Sequence, residues 1–216
     1  MEQSYEKVLM DSIRSLDGKK VLMVFAHCDD ELICGWPILQ NPNIKKSLLI
    51  VSSDRYNPDR KWCSHRKFVT QDLCKLLGIN VCILDYNSDF YRLNHRDGKL
   101  AKAEQEILAW IKTNSFDGLF THNPHGEYGH LDHIFLFNLL FRAVNDQILI
   151  SDITIPSDWT KIEPKSTRYA NAYFSEKIDT VLLDKSFYRK VMRFYETRGV
   201  WTWSQEPICK SSLYVV

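Results

Sequence analysis

Apolar residues recur along the first two thirds of the chain with two different periods, and the alternation of those periods predicts a β/α rhythm. The unbroken apolar run Val21-Leu22-Met23-Val24-Phe25 makes residues 20–26 a buried strand. Helical spacing follows over 31–40 and stops near Asn41-Pro42. A strand over 47–51 gives way to a polar loop over 52–60, and a helix over 64–77 is closed by Gly78. Next come a strand over 81–84, a long polar loop over 85–98, a helix over 100–113 and a strand over 118–121. The helix predicted over 131–144 is apolar nearly all round (Ile134, Phe135, Leu136, Phe137, Leu139, Leu140, Phe141) and is expected to be buried. Ahead of the first strand, Tyr5, Val8, Leu9, Ile13 and Leu16 fall at amphipathic-helix spacing.

This order predicts an α/β fold, Rossmann-like, with a mostly parallel sheet flanked by helices on both faces. After Asn145 the rhythm changes, with strands expected at 148–150 and 169–174 and a helix at 186–198. The 216 residues suit one domain over 1–216, with 146–216 as a variable C-terminal segment of that domain closing over the site.

Composition narrows the partners. The formal charge is +1 and no basic stripe exists, so nucleic acid is not expected. No apolar run approaches the roughly 20 residues of a membrane span. The charged start of the chain lacks a signal-peptide core. Six cysteines (28, 34, 63, 74, 82 and 209) form no CxxC pair, which suggests reduced thiols in a cytoplasmic protein. Cys34, Cys74 and Cys82 read as small core residues.

The chemistry sits at two strand-to-helix junctions. One is Ala26-His27-Cys28-Asp29-Asp30-Glu31; the other runs from His122 through His125, Glu127, Tyr128 and His130 to Asp132 and His133. Ligands bind at such junctions in open α/β sheets. Zinc takes histidine nitrogen and carboxylate oxygen, three protein ligands in a catalytic site. His27 and Asp30 can meet one metal, and the second cluster offers four histidines for a third ligand. His130 and His133 stand at i and i+3 and can face one point. Asp29 is then left to act on a metal-activated water. A polar helix cap explains one aspartate, but not a His-Asp-Asp set matched by a distant His-Asp-His set.

The AHCDDE and YGHLDH runs resemble the two signatures of the LmbE-like, or PIG-L, family of zinc-dependent N-acetylglucosaminide deacetylases, in order and spacing over roughly residues 18 to 145. The resemblance implies one Zn2+ per chain held by His27, Asp30 and His133. It implies that Asp29 is the general base and later the acid. It also has His130 steady the tetrahedral intermediate or deliver a proton, Asp132 orient the His130 ring, and Tyr128 donate a hydrogen bond to the developing oxyanion. Arg66 falls at a substrate-binding position and Asp89 at one that hydrogen-bonds sugar hydroxyls. The implied partner is a small-molecule amino sugar, free or linked to a carrier or nucleotide.

Two residues depart from the family pattern, Cys28 and Leu131, each standing where a proline is usual. The Cys28 side chain is expected to point away from the metal. His122 and His125 read as loop residues or supports of the ligands, and Glu31 as a brace for its loop. Trp201 and Trp203 are assigned to core or interface packing in preference to sugar stacking, and an interface there would allow a homo-oligomer. An inactive sugar-binding protein on the same fold is the alternative to an enzyme. A two-metal phosphohydrolase is a third reading, which generally needs more carboxylates.

Overall fold

Strand β1, Lys20–His27, is central, and everything from Val21 to His27 along it is buried. The structure is a computed structural model that describes residues 16–53, 61–87, 90–91, 99–144, 148–153, 176–203 and 207–216. The expected N-terminal amphipathic helix (all but Leu16), the expected strand over 169–174 and Asp89 lie outside the described residues.

Parallel neighbours cover both edges of β1: β2 (Lys45–Ser52) on one side and β4 (Gly118–Thr121) on the other. Strand β3 (Asn80–Tyr86) continues beyond β2, and β5 (Ile148–Ser151) beyond β4, again in parallel. Two further strands, β6 (Glu176–Leu182) and β7 (Lys210–Val215), extend the sheet antiparallel past β5, giving the order β3-β2-β1-β4-β5-β7-β6. Sequence reading did not anticipate these two. Each carries alternating or mixed polarity, because an antiparallel edge is buried on fewer sides than the centre.

Alternation along β1 divides the core. Val21, Met23 and Phe25 face a layer built from the short helices α1 (Asp30–Ile33) and α2 (Trp36–Leu39), with α3 (Lys61–Leu77). Leu22, Val24 and Ala26 face α4 (Lys99–Thr113) and the apolar helix α6 (Leu131–Ala143), which follows a distorted turn, α5 (Gly126–Gly129). The last helix, α7 (Lys185–Glu196), is capped by Asp184, whose side chain accepts from the amides of Ser186 and Phe187. It buries Tyr188, Val191 and Tyr195 against the first layer.

The helix expected over 31–40 is instead broken into α1 and α2 at Gly35. There the Gly35 amide bonds to Asp30 O at 2.9 Å, five residues back, and Pro37 contributes no amide hydrogen. No described helix is long and apolar enough to cross a membrane. Strand order reverses between β1 and β4, so the loops after those two strands share the crevice at the carboxyl edge.

Candidate metal centre

Both loops take backbone shapes that sequence alone rarely permits. Asp29 sits at φ 101, ψ −20, a region costly for a residue with a Cβ. Its amide donates to Glu31 Oε2 at 2.9 Å, which holds the turn. The turn sends Asp30 back over its own strand end, where Asp30 Oδ2 accepts the His27 amide at 2.8 Å. In the second loop Gly126, Glu127 and Gly129 all have positive φ. Gly126 packs so closely on α6 that a Cβ there would lie 3.1 Å from His133 Cβ and 2.9 Å from Ile134 Cγ1.

Three side-chain atoms converge between the loops. His27 Nδ1 is 3.2 Å from His133 Nε2 and 3.3 Å from Asp30 Oδ2, and His133 Nε2 is 3.4 Å from the same oxygen. A tetrahedral zinc with bonds of about 2.1 Å separates its ligands by about 3.4 Å. The triangle therefore has the dimensions of a zinc face.

The far side of each imidazole fixes which nitrogen is free. His27 Nε2 lies 3.0 Å from Asp132 Oδ2, and His133 Nδ1 lies 2.7 Å from Glu127 Oε2. Each carboxylate accepts a ring N–H, so the lone pairs of His27 Nδ1 and His133 Nε2 are left facing each other and Asp30. Carboxylate-backed histidines of this kind are the usual support of a metal ligand. Burial works against charge on His27, but Asp132 and Asp30 outweigh it and hold its pKa well above the ordinary value. A proton and a metal cation compete for that one lone pair. Burial likewise opposes ionisation of Asp30, yet His133, His122 and His27 keep it well below the usual carboxylate range.

A bracing layer lies beneath. Glu127 is 1% exposed, and its Oε2 accepts from both His133 Nδ1 and His122 Nδ1, the latter at 2.9 Å. Its Oε1 accepts the Asn123 amide at 3.0 Å. Burial raises the Glu127 carboxyl, but the two imidazoles prevail and set it at about 2. His122 stacks on His133, with ring centroids 3.7 Å apart, and its Nε2 accepts the Ala26 amide at 3.0 Å. Those bonds fix the His122 ring; burial lowers its pKa, but Glu127 with Asp30 outweigh burial and raise it to about 9. Cys34, His122, Glu127 and His133 place ligand-type atoms within 4.8 Å of one another. His122 and His133 are both hydrogen-bonded to Glu127, and burial pushes the Cys34 thiol well up, so it stays protonated.

Around the triangle stand the remaining chemical groups. Asp29 Oδ2 pairs with Arg66 Nη1 at 2.9 Å and accepts Trp203 Nε1–H at 3.1 Å. Burial raises its pKa to about 8, against the pull of Arg66 and with help from Asp30 and Glu31. His130 Nδ1 accepts the Asp132 amide at 3.2 Å, which leaves Nε2 to carry the ring proton. Burial, His27 and His133 lower His130 to about 3, so it is neutral. Its ring centroid is 4.6 Å from that of His27 and 4.7 Å from that of His133. Tyr128 is edge-on to His130, His133 and Trp203. Burial pushes its phenol well up, so it stands as a neutral donor.

Some residues sit otherwise than expected. The Asp132 carboxylate backs His27, and it is the Asp132 amide that meets the His130 ring; the carboxylate also accepts the Phe90 and Tyr91 amides at 3.1 and 2.9 Å. Arg66 is 4% exposed and reaches no open surface. Besides Asp29 it binds Cys28 O at 3.2 Å, Val200 O at 3.2 Å and Thr202 Oγ1 at 2.8 Å, tying the first motif to the C-terminal segment. Cys28 turns its sulfur toward Ser52 O. Glu31 braces its loop between the Asp29 amide and the Tyr195 hydroxyl.

The family model PIG-L, described as GlcNAc-PI de-N-acetylase, matches residues 22–144, more than half of the chain, and these span both loops. The chain belongs to the PIG-L family. It is similar to an uncharacterised protein, L374, of Acanthamoeba polyphaga mimivirus, 28% identical over 128 residues. That match takes in 56% of this chain and 56% of the other, so the chain spans little more than half the length of the curated relative it matches. Among solved structures, the A40926 pseudoaglycone deacetylase Dbv21 superposes with a TM-score of 0.60 at 12% identity, covering 92% of this chain and 97% of that one. A triple mutant of a deacetylase involved in the teicoplanin biosynthetic pathway (Orf2*T) gives 0.59 at 11% identity, over 91% and 98%. These likenesses establish a shared fold.

Two residues of this cluster, Glu127 and Trp203, stand in the sequence reading without the parts they take here. Glu127 lies inside the second motif region, and a carboxylate six residues before a metal-type histidine was its signal. Trp203 lies outside the matched region and had none beyond being aromatic in a polar setting.

Proposed function

We propose that this chain is a zinc-dependent hydrolase that removes the acetyl group from an N-acetylated amino sugar or its conjugate, one zinc per chain being held by His27, Asp30 and His133. The observation that carries the reading is the triangle of His27 Nδ1, Asp30 Oδ2 and His133 Nε2, with each histidine backed by its own carboxylate. Membership of the PIG-L family supports the reaction class.

A cation bound there would polarise the acyl carbonyl and bring a bound water's pKa toward neutrality. Asp29 takes a proton from the attacking water as that water's oxygen bonds to the acyl carbon. His130 donates through Nε2–H to the oxygen of the tetrahedral intermediate, and the Tyr128 hydroxyl donates beside it. Asp29 then returns the proton to the nitrogen as the C–N bond breaks, releasing acetate and the free amine. Asp89 and the loop around it contribute to gripping sugar hydroxyls, and Arg66 serves the substrate indirectly by holding Asp29. Free thiols at Cys28, Cys34, Cys74 and Cys82 support a cytoplasmic setting.

The test is primary-amine release by zinc-loaded protein across free N-acetylglucosamine, its glycosides, its oligosaccharides and nucleotide-linked forms. Asp29→Asn should cut the rate by about 10²- to 10⁴-fold while keeping its zinc. Full activity in that variant, or a zinc content untouched by His27→Ala, would sink the reading.

A further inference from the structure

The base proposed above has one oxygen clamped and one left over. Asp29 Oδ2 receives both Arg66 Nη1, at 2.9 Å, and Trp203 Nε1–H, at 3.1 Å. Its Oδ1 takes no hydrogen bond among the described residues. We propose that Trp203 is a positioning residue for Asp29: with Arg66 it fixes Oδ2 and thereby reserves Oδ1 for the proton of the attacking water. The proposal rests on the reading of Asp29 as general base.

The structure makes the clamp rigid from several sides. Arg66 holds Asp29 and, through Nε and Nη2, the Val200 carbonyl and Thr202 hydroxyl, which flank the segment delivering Trp203. Val200 is buried, and its amide donates to Tyr195 O at 3.2 Å. The Tyr195 hydroxyl is bonded to Glu31, whose other oxygen accepts the Asp29 amide. Loop 200–203 is thus tied to the Asp29 backbone through Glu31 and to its side chain through Arg66. The indole also packs edge-on against Tyr128, centroids 5.6 Å apart at 73°, which fixes the plane in which its N–H points.

A carboxylate without such a clamp exchanges its two oxygens by rotation about the Cβ–Cγ bond. Asp29 occupies an unfavourable backbone region that persists only where the surroundings over-determine it. Misplacement of a reacting group by about 1 Å can cost about 10²-fold in rate. The second donor comes from beyond residues 22–144, so the part of the chain matched by the family model does not complete the arrangement alone.

Two measurements on the zinc-loaded full chain decide the matter. The first uses ¹⁵N-labelled protein, in which six tryptophans give six indole N–H signals, and the one missing from Trp203→Phe is that of Trp203. It should lie downfield and shift upfield in Asp29→Ala; an unchanged position would overturn the proposal without reference to catalysis. The second follows amine release from p-nitrophenyl N-acetylglucosaminide. Trp203→Phe keeps the aromatic wall and removes the N–H, so kcat should fall about tenfold, with KM within twofold and zinc content and Tm retained. Wild-type kcat in that variant would overturn the positioning role, since packing alone would be preserved. A wild-type protein that releases no amine from any acyl sugar, with the indole signal still responding to Asp29, would refute the deacetylase reading and leave the Trp203–Asp29 contact established.

Discussion

Asp132 Oδ2 stands 3.0 Å from His27 Nε2, so the aspartate of the second motif orients a histidine of the first. The two loops are therefore joined directly, side chain to side chain. The same carboxylate accepts the Phe90 and Tyr91 amides, which fixes where it points. In Asp132→Asn an amide N–H must face one of those donors. Zinc affinity is expected to weaken about 10- to 100-fold, read by competition with a chromophoric chelator; unchanged affinity would show that His27 needs no such backing.

Glu127 is the companion brace for His133, and it is more deeply committed. Removing it strands the Nδ1–H groups of two buried imidazoles and the Asn123 amide. Glu127→Ala should lower unfolding stability by about 3–5 kcal/mol, seen as a reduced urea midpoint, and should weaken zinc binding as well. The positive φ of 56 at this position is retained by the alanine, so the loss would report the carboxylate.

The parallel half of the sheet was legible because β1 and the elements around it are buried on both faces and read as continuous apolar runs. The two loops were legible because histidine and aspartate at a strand end have few structural reasons to be there. The resemblance assigns Asp132 to the His130 ring, which its amide does meet, whereas its carboxylate pairs with residue 27, a tertiary pairing that spacing cannot show. The resemblance places Arg66 at a substrate-binding position, and it is a buried strut here, since its partners Val200 and Thr202 arrive more than a hundred residues later. Strands β6 and β7 were hidden for a related reason: Glu176–Leu182 and Lys210–Val215 acquire their identity from pairing with each other and with β5.

Glu31 gives a pH signature. It is buried with no ionic partner among the described residues, and burial raises its pKa from 4.5 to about 7, the Tyr195 hydroxyl opposing the shift. The folded state thus binds this proton more tightly than the unfolded chain does. Its contribution to stability is complete below the unfolded pKa and disappears as pH rises toward 7. Glu31→Gln removes the titration while keeping an acceptor. The stability difference between wild type and variant should change by roughly 3 kcal/mol between pH 4 and 8, in the variant's favour at the higher pH. Parallel pH profiles from chemical denaturation would contradict the assignment.

Gly35 is where local sequence, core packing and the site meet. A Cβ there would lie 2.6 Å from Glu31 O, 2.8 Å from Met23 Cε and 2.8 Å from Phe25 Cε2. The methionine can move, but the Glu31 carbonyl belongs to the turn that holds Asp29. By contrast, Gly78 has φ 67 and open space around its Cα, so an alanine there meets only backbone strain. Gly78→Ala should cost about 1 kcal/mol and leave amine release untouched. Gly35→Ala should cost about 1–3 kcal/mol and also lower kcat, because relief of the clash displaces Glu31 and with it the Asp29 amide. Equal stability losses with equal activities in the two variants would mean that the break between α1 and α2 is only a packing accommodation; separation of the two in kcat would tie that break to the position of the base.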